Sequence, residues 1–150
     1  MDTKNICIFD IDGTLANCDH RLHHIKNKPK NWPAFYNGCM DDVLICPVAE
    51  MLDLYSKFYK IYLVTGRPEN NRHLTESWLD AHKIKYDNLI MRGDRDFRKS
   101  PEFKSSVCDM IEAEGQTIFF VVEDRPDCVQ MFINRGIFVF DVSNGSSHDA

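Results

Sequence analysis

Asp10 and Asp12 stand two residues apart in Ile6-Cys7-Ile8-Phe9-Asp10-Ile11-Asp12-Gly13-Thr14-Leu15, where an apolar run breaks into a glycine turn. Carboxylates this close repel unless a hard cation neutralises them or one keeps its proton, so the pair points to a Mg²⁺ site, to acid–base work, or to both. Three later clusters could join it. Thr65-Gly66-Arg67 offers a hydroxyl and a guanidinium fork suited to phosphoryl oxygens. Lys104 could hold a phosphate dianion beside Asp10. Glu123, Asp124 and Asp127 put three acids within five residues at the end of another apolar run, a costly arrangement unless a cation sits among them.

The elements that must position these groups follow from periodicity. Four apolar residues, Ile6 to Phe9, read as a buried central strand, and further strands are expected over 59–64, 88–91, 117–122 and 137–142. Between them lie helical patterns. Pro47 opens one with Val48, Met51, Leu52 and Tyr55 on one face; a second, over 69–82, carries Leu74, Trp78 and His82. Ser100 and Pro101 read as N-cap and first residue of a third, with Phe103, Val107, Met110 and Ile111 on one face, and a fourth ends at Gly136. Strand and helix alternate, which predicts an α/β, doubly wound, Rossmann-like parallel sheet of about five strands. Ligands bind such sheets at the carboxyl ends of the strands, where the clusters fall. At 150 residues the chain is expected to form one domain over 1–150, with 143–150 as a disordered tail.

The segment from Ala16 to Cys46 is irregular. It holds His20-Arg21-Leu22-His23-His24, three lysines, and Trp32, Phe35 and Tyr36. Bases interleaved with aromatics suit a nucleotide or single-stranded nucleic acid; the plainer alternative is a short helix begun at Asn31 that docks these rings on the core. A metal site at His20, His23 and His24 lacks a further partner at ligand spacing. The formal net charge of −5 argues against indiscriminate nucleic-acid binding while leaving room for a local basic rim. Six cysteines without a C-x-x-C pair read as reduced, buried thiols. No run of 18 apolar residues and no secretory leader is found, so the expectation is a cytoplasmic protein with no membrane association.

Asp10-Ile11-Asp12-Gly13-Thr14 resembles the first motif of the haloacid dehalogenase superfamily of phosphotransferases, and Thr65, Lys104 and Glu123-Asp124 with Asp127 resemble its remaining motifs in order. Within that superfamily the chain is most similar to the 3′-phosphatase domain of phage-type polynucleotide kinases, through residues 12–16, Arg21, Gly66-Arg67, Trp78, Arg98-Lys99 and Asp124-Arg125. The resemblance implies a Mg²⁺-dependent phosphomonoester hydrolase with Asp10 as nucleophile, Asp12 as general acid/base, and Thr65 and Lys104 on the phosphoryl oxygens. The cation would be held by Asp10, the Asp12 main-chain carbonyl and Asp124, with Asp127 also expected among the metal residues. Arg21, Gly66, Arg67, Arg98 and Lys99 are expected to bind substrate. Two departures stand out: Ser100-Pro101 replaces an acidic pair, and Glu123 replaces the first Asp of an Asp-Asp pair. No G-x-x-x-x-G-K-[ST] occurs, so 5′-kinase activity is not expected.

Neither the gap after Gly13 nor the gap after Thr65 holds a full cap domain, so the core is expected to carry a minimal cap or none. Such a site admits a bulky substrate, a phosphorylated nucleic-acid end, with free nucleotides as the alternative. A non-catalytic phosphate-binding module is the reading from outside enzymology.

Overall fold

The computed structural model describes residues 5–143; of the tail expected at 143–150, all but Ser143 lies outside the described residues. In chain order the elements are β1 (Asn5–Phe9), β2 (Ala16–Asn17), α1 (His23–Lys26), α2 (Trp32–Asn37), β3 (Val43–Leu44) and α3 (Cys46–Tyr55). There follow β4 (Lys60–Pro68), α4 (Arg72–Ala81), β5 (Asn88–Arg92), α5 (Ser100–Ala113), β6 (Thr117–Glu123), α6 (Pro126–Asn134) and β7 (Val139–Asp141). Five strands form one parallel sheet in the order β5-β4-β1-β6-β7. Connections run outward in opposite directions from β1, so the order reverses between β1 and β6. Sheets of this kind bind ligands at that reversal.

Side chains alternate across β1, and each face builds its own core. Cys7 and Phe9 join Ile61, Leu63, Val48, Leu52, Trp78 and Leu79, which seats α3 and α4 on one face. Ile6 and Ile8 join Tyr62, Val64, Phe103, Val107, Ile111 and Phe132, which seats α5 and α6 on the other. The doubly wound α/β architecture expected from the strand–helix alternation is the one observed. All six cysteines are free and five are buried; Cys46 is exposed because it opens α3 at the surface.

The segment between β1 and α3 makes a small cap: a two-stranded antiparallel ribbon of β2 and β3, with α1 and α2 closing over Cys18, Leu22, Ile25 and Phe35. Asn31 caps α2 through its side chain, which accepts from the Ala34 N–H at 3.1 Å. Phe35 is buried as expected, whereas Trp32 stays 37% exposed, with Lys30 Nζ over its ring 5.7 Å from the centroid.

Boundaries moved where tertiary contacts outweighed local signals. β4 does not stop at Val64 but continues through Thr65-Gly66-Arg67-Pro68, because β5 keeps pairing with it across a register shift, to Met91 and then to Arg92. The second helix begins only at Arg72, after a 3₁₀ turn over Glu69–Asn71. Ser100 is inside α5 rather than its cap: its hydroxyl accepts from Arg92 Nη2 at 3.2 Å. The last strand is shorter than expected, Val139–Asp141. No helix among the described residues is long and apolar enough to cross a membrane.

Candidate active site

The floor of the site is built where β1 and β6 end side by side. The Asp10 N–H donates to the Val122 carbonyl at 3.1 Å, which extends the pairing one residue past β1 and sets Asp10 against Glu123 and Asp124. The chain then turns sharply: Thr14, Leu15 and Ala16 all donate to the Ile11 carbonyl. Gly13, at φ +81, is required twice over, since a Cβ there would lie 2.1 Å from Asp124 Oδ2. The missing side chain is what lets Asp124 close on the turn.

Asp10, Thr65, Lys104, Glu123 and Asp124 are all buried. Lys104 reaches in from α5, with Nζ 3.0 Å from Asp10 Oδ1 and 2.7 Å from Glu123 Oε1. The Thr14 hydroxyl lies 3.3 Å from both Asp10 Oδ2 and Asp124 Oδ1. Burial pulls the Lys104 pKa down, but Asp10 and Glu123 outweigh it and raise it well above its ordinary value. Asp124 moves the other way. Burial, then the charge and hydrogen bond of Asp10, push its carboxyl far above the usual range.

One oxygen each from Asp10, Glu123 and Asp124 falls within 4.8 Å of the others. All donors are oxygens, which suits a hard divalent cation, and a cation is what would let two adjacent buried carboxylates ionise together. Glu123 is already engaged: Oε1 meets Lys104 and Oε2 accepts from the Asp124 and Arg125 N–H groups. Asp10 and Asp124 are therefore the acids best placed to share an ion. Asp127, expected among the metal ligands, is not brought to this cluster. From the first turn of α6 its half-exposed carboxylate pairs with Arg125 Nε at 2.7 Å, a solvated partner that costs less than entering a crowded acidic site.

The second correction concerns the arginines. Arg21 and Arg67, expected on the substrate rim, are buried and form no part of the cleft wall. Both serve Asp12: Arg21 Nη2 donates to Oδ1 at 2.6 Å, and Arg67 Nη2 donates to Oδ1 at 2.7 Å while its Nε lies 3.2 Å from each oxygen. They also share Asp42, 2.6 Å from Arg21 Nη2 and 3.4 Å from Arg67 Nη2, and His20 Nε2 reaches the same carboxylate at 2.7 Å. Two buried guanidiniums need two counter-charges, and Asp12 and Asp42 supply them. Burial would raise the Asp12 pKa, but Arg67 and then Arg21 hold it well below the usual carboxylate range. Asp42 was missed because its only local signal, an Asp-Asp pair before a short strand, resembles a surface turn.

Around this floor opens a cleft of about 820 Å³. Asp10, Asp12, Thr65, Gly66, Lys104 and Asp124 line its depth, and Arg98 and Lys99 its rim, where Arg98 is half-exposed and paired with Asp96 at 2.6 Å. Arg92 also lines it and was not singled out by sequence reasoning; its position inside a run of five bases from Arg92 to Lys104 was the available signal.

Comparison with known proteins agrees with this geometry. The family model described as "Polynucleotide kinase PNKP phosphatase domain" matches residues 4–146. A chain of the solved Pnkp1/Rnl/Hen1 complex is similar at 30% identity and TM-score 0.76, over 92% of this chain and 45% of that one. A chain of the Pnkp1/Rnl/Hen1 RNA repair complex matches at 28% identity and TM-score 0.79, over 93% and 42%. The chain thus spans less than half the length of these two relatives. The class C acid phosphatase from Bacillus anthracis, at 14% identity and TM-score 0.64 over 99% of this chain and 76% of that one, shares the fold. With the family match running almost end to end over the sheet, the acidic floor and the cleft, this chain belongs to the PNKP phosphatase-domain family of the haloacid dehalogenase superfamily.

Proposed function

We propose that the chain is a Mg²⁺-dependent phosphomonoesterase acting on 3′-phosphate ends of nucleic acid through an aspartyl-phosphate. The observation that carries this reading is the pairing of buried Asp10 with Lys104 on one side and Asp124 on the other, beneath a cleft that also contains Asp12. The family membership and the RNA repair complex that holds a similar chain support the choice of substrate.

Asp10 attacks phosphorus, the P–O bond to the leaving sugar oxygen breaks, and Asp12 gives that oxygen a proton. A water then loses its proton to Asp12 and attacks phosphorus, which breaks the bond to Asp10 and releases inorganic phosphate. Lys104 and Thr65 hold the equatorial oxygens. A Mg²⁺ ion held by Asp10, Asp124 and the Asp12 main-chain carbonyl would screen the repulsion between a carboxylate and a phosphate dianion.

Asp12 must arrive protonated for the first step, yet its two arginines favour the ionised form. The incoming dianion opposes them, since added negative charge nearby raises a carboxyl pKa. Hydrolysis of alkyl phosphates, whose leaving oxygen needs that proton, is therefore expected to slow steadily as pH rises and the protonated fraction of Asp12 shrinks. p-Nitrophenyl phosphate has a stable leaving group, and its kcat should show a shallower decline. Equal slopes for the two substrates would remove Asp12 from the acid role.

The Asp124 shift gives a prediction about the cation. A carboxyl whose folded pKa is raised contributes stability fully below its ordinary value of 3.8, and loses it as pH rises toward the folded value. Mg²⁺ competes with that proton, so its binding strengthens with pH. Adding Mg²⁺ should raise Tm, more at about pH 8 than at about pH 5, and Asp124→Asn should abolish most of the gain. A Tm insensitive to Mg²⁺ at both values would argue against the cation site.

The substrate assignment is tested by comparing phosphate release from a 3′-phosphorylated oligonucleotide with release from 3′- and 5′-mononucleotides. The expected result is preference for the oligonucleotide; preference for mononucleotides would make the chain a nucleotidase.

A further inference from the structure

A phosphoryl group fills little of the 820 Å³ cleft, which falls in the range that takes up a whole nucleotide-sized ligand. Its upper wall is aromatic. From the cap, Trp32 lines it with 37% of its surface exposed, stacked on Tyr36 with ring centroids 5.8 Å apart and edge-on to Phe35. From the loop after β5, Phe97 lines it with 88% exposed.

So open a phenyl ring on a loose loop would be unremarkable, but this loop is pinned on both sides of the ring. Arg92 Nη1 donates to the Asp96 carbonyl at 3.4 Å and to the Arg98 carbonyl at 2.5 Å, and Nη2 reaches Ser100 Oγ at 3.2 Å. Asp96 Oδ1 accepts from the Arg98 N–H and from Arg98 Nε. The two aromatic segments also meet at one atom. The Gly66 carbonyl accepts from Tyr36 OH at 3.5 Å and from Arg92 Nε at 3.2 Å, one residue from Thr65 on the floor.

We infer that Trp32 and Phe97 form a nucleobase subsite, which stacks the base of the terminal nucleotide while its 3′-phosphate lies over Asp10. The inference rests on the phosphatase reading and adds how the end is gripped. Stacking on aromatic faces tolerates any base, because every base has a π-face. Pinning the loop beforehand lowers the ordering cost of binding.

The test compares kcat/KM for a 3′-phosphorylated oligonucleotide ending in a normal nucleotide with that for the same strand ending in an abasic sugar 3′-phosphate. Wild type should favour the base-bearing end by roughly tenfold or more, and Phe97→Ala and Trp32→Leu should each bring that ratio close to one. A merely structural role would lower both rates and leave the ratio where it was, which would overturn the subsite, as would a wild-type ratio of one. A second arm needs no turnover: adenosine 3′-phosphate is titrated into Asp10→Asn protein while tryptophan fluorescence is read. Of the two tryptophans, Trp78 is buried, so quenching should come from Trp32 and disappear in the double variant carrying Trp32→Leu. Adding Phe97→Ala should weaken the titration by roughly tenfold. If inorganic phosphate quenches equally, the subsite is wrong. If neither strand is hydrolysed but the quench and its Phe97 dependence remain, the phosphatase reading fails and the subsite stands.

Discussion

Asp10→Asn is expected to abolish phosphatase activity, lowering kcat by about 10⁴-fold or more, as when other nucleophiles are removed from sites whose members act as a unit. The amide keeps the shape of the carboxylate but supplies neither a nucleophilic oxygen nor an anionic cation ligand. The fold should survive. Asp10 is one of three buried acids facing a single ammonium, and removing its charge relieves the repulsion that adds to burial in driving Asp124 upward. Circular dichroism and thermal melting of the variant should therefore remain near wild type while turnover disappears. Residual activity above about a hundredth of wild type would mean that another group attacks phosphorus.

Arg67→Met is expected to damage both stability and chemistry. Arg67 is fully buried, its guanidinium lies against Asp12 and Asp42, and Nη1 donates to Thr75 Oγ1 at 3.0 Å. Removing one member of a buried ionic cluster leaves the others uncompensated, which costs about 3–5 kcal/mol. Urea unfolding should show that loss, and kcat should fall by about 10²- to 10⁴-fold as Asp12 loses its orientation. Arg67→Lys restores charge without the fork, so it should recover part of the stability and little of the rate. A rim arginine of the kind expected from sequence would instead raise KM and leave the unfolding curve alone, so the two roles separate cleanly.

How much of this was legible beforehand divides along physical lines. The sheet was readable because Ile6–Phe9 and 118–122 are short apolar runs with turns behind them, the pattern of a core strand. Asp10, Lys104 and Asp124 lie together because the strand–helix alternation brings successive strand ends to one edge of the sheet. What failed was anything decided by a distant partner. Whether Arg21 and Arg67 face solvent or the interior depends on Asp42, which lies 21 residues from Arg21 and 25 from Arg67. Ser100 has the local appearance of a helix cap, yet Arg92 takes its hydroxyl. Asp127 has the same acidic character as Asp124 three residues earlier, but the first turn of α6 rotates it toward Arg125. Phe97 carries no local signal of its own in the sequence, and only the pinning of its loop by Arg92 distinguishes it.

A covalent phosphoryl group carried by Asp10 is the species that separates this mechanism from others, and it can be sought directly. Asp12→Asn protein, slowed in the water-attack step, is mixed with Mg²⁺ and p-nitrophenyl phosphate, quenched in acid, and digested for mass spectrometry. One phosphoryl group, labile to hydroxylamine, is expected on the peptide that contains Asp10. Turnover of the same mixture with phosphate on no peptide, or on a peptide lacking Asp10, would contradict this mechanism.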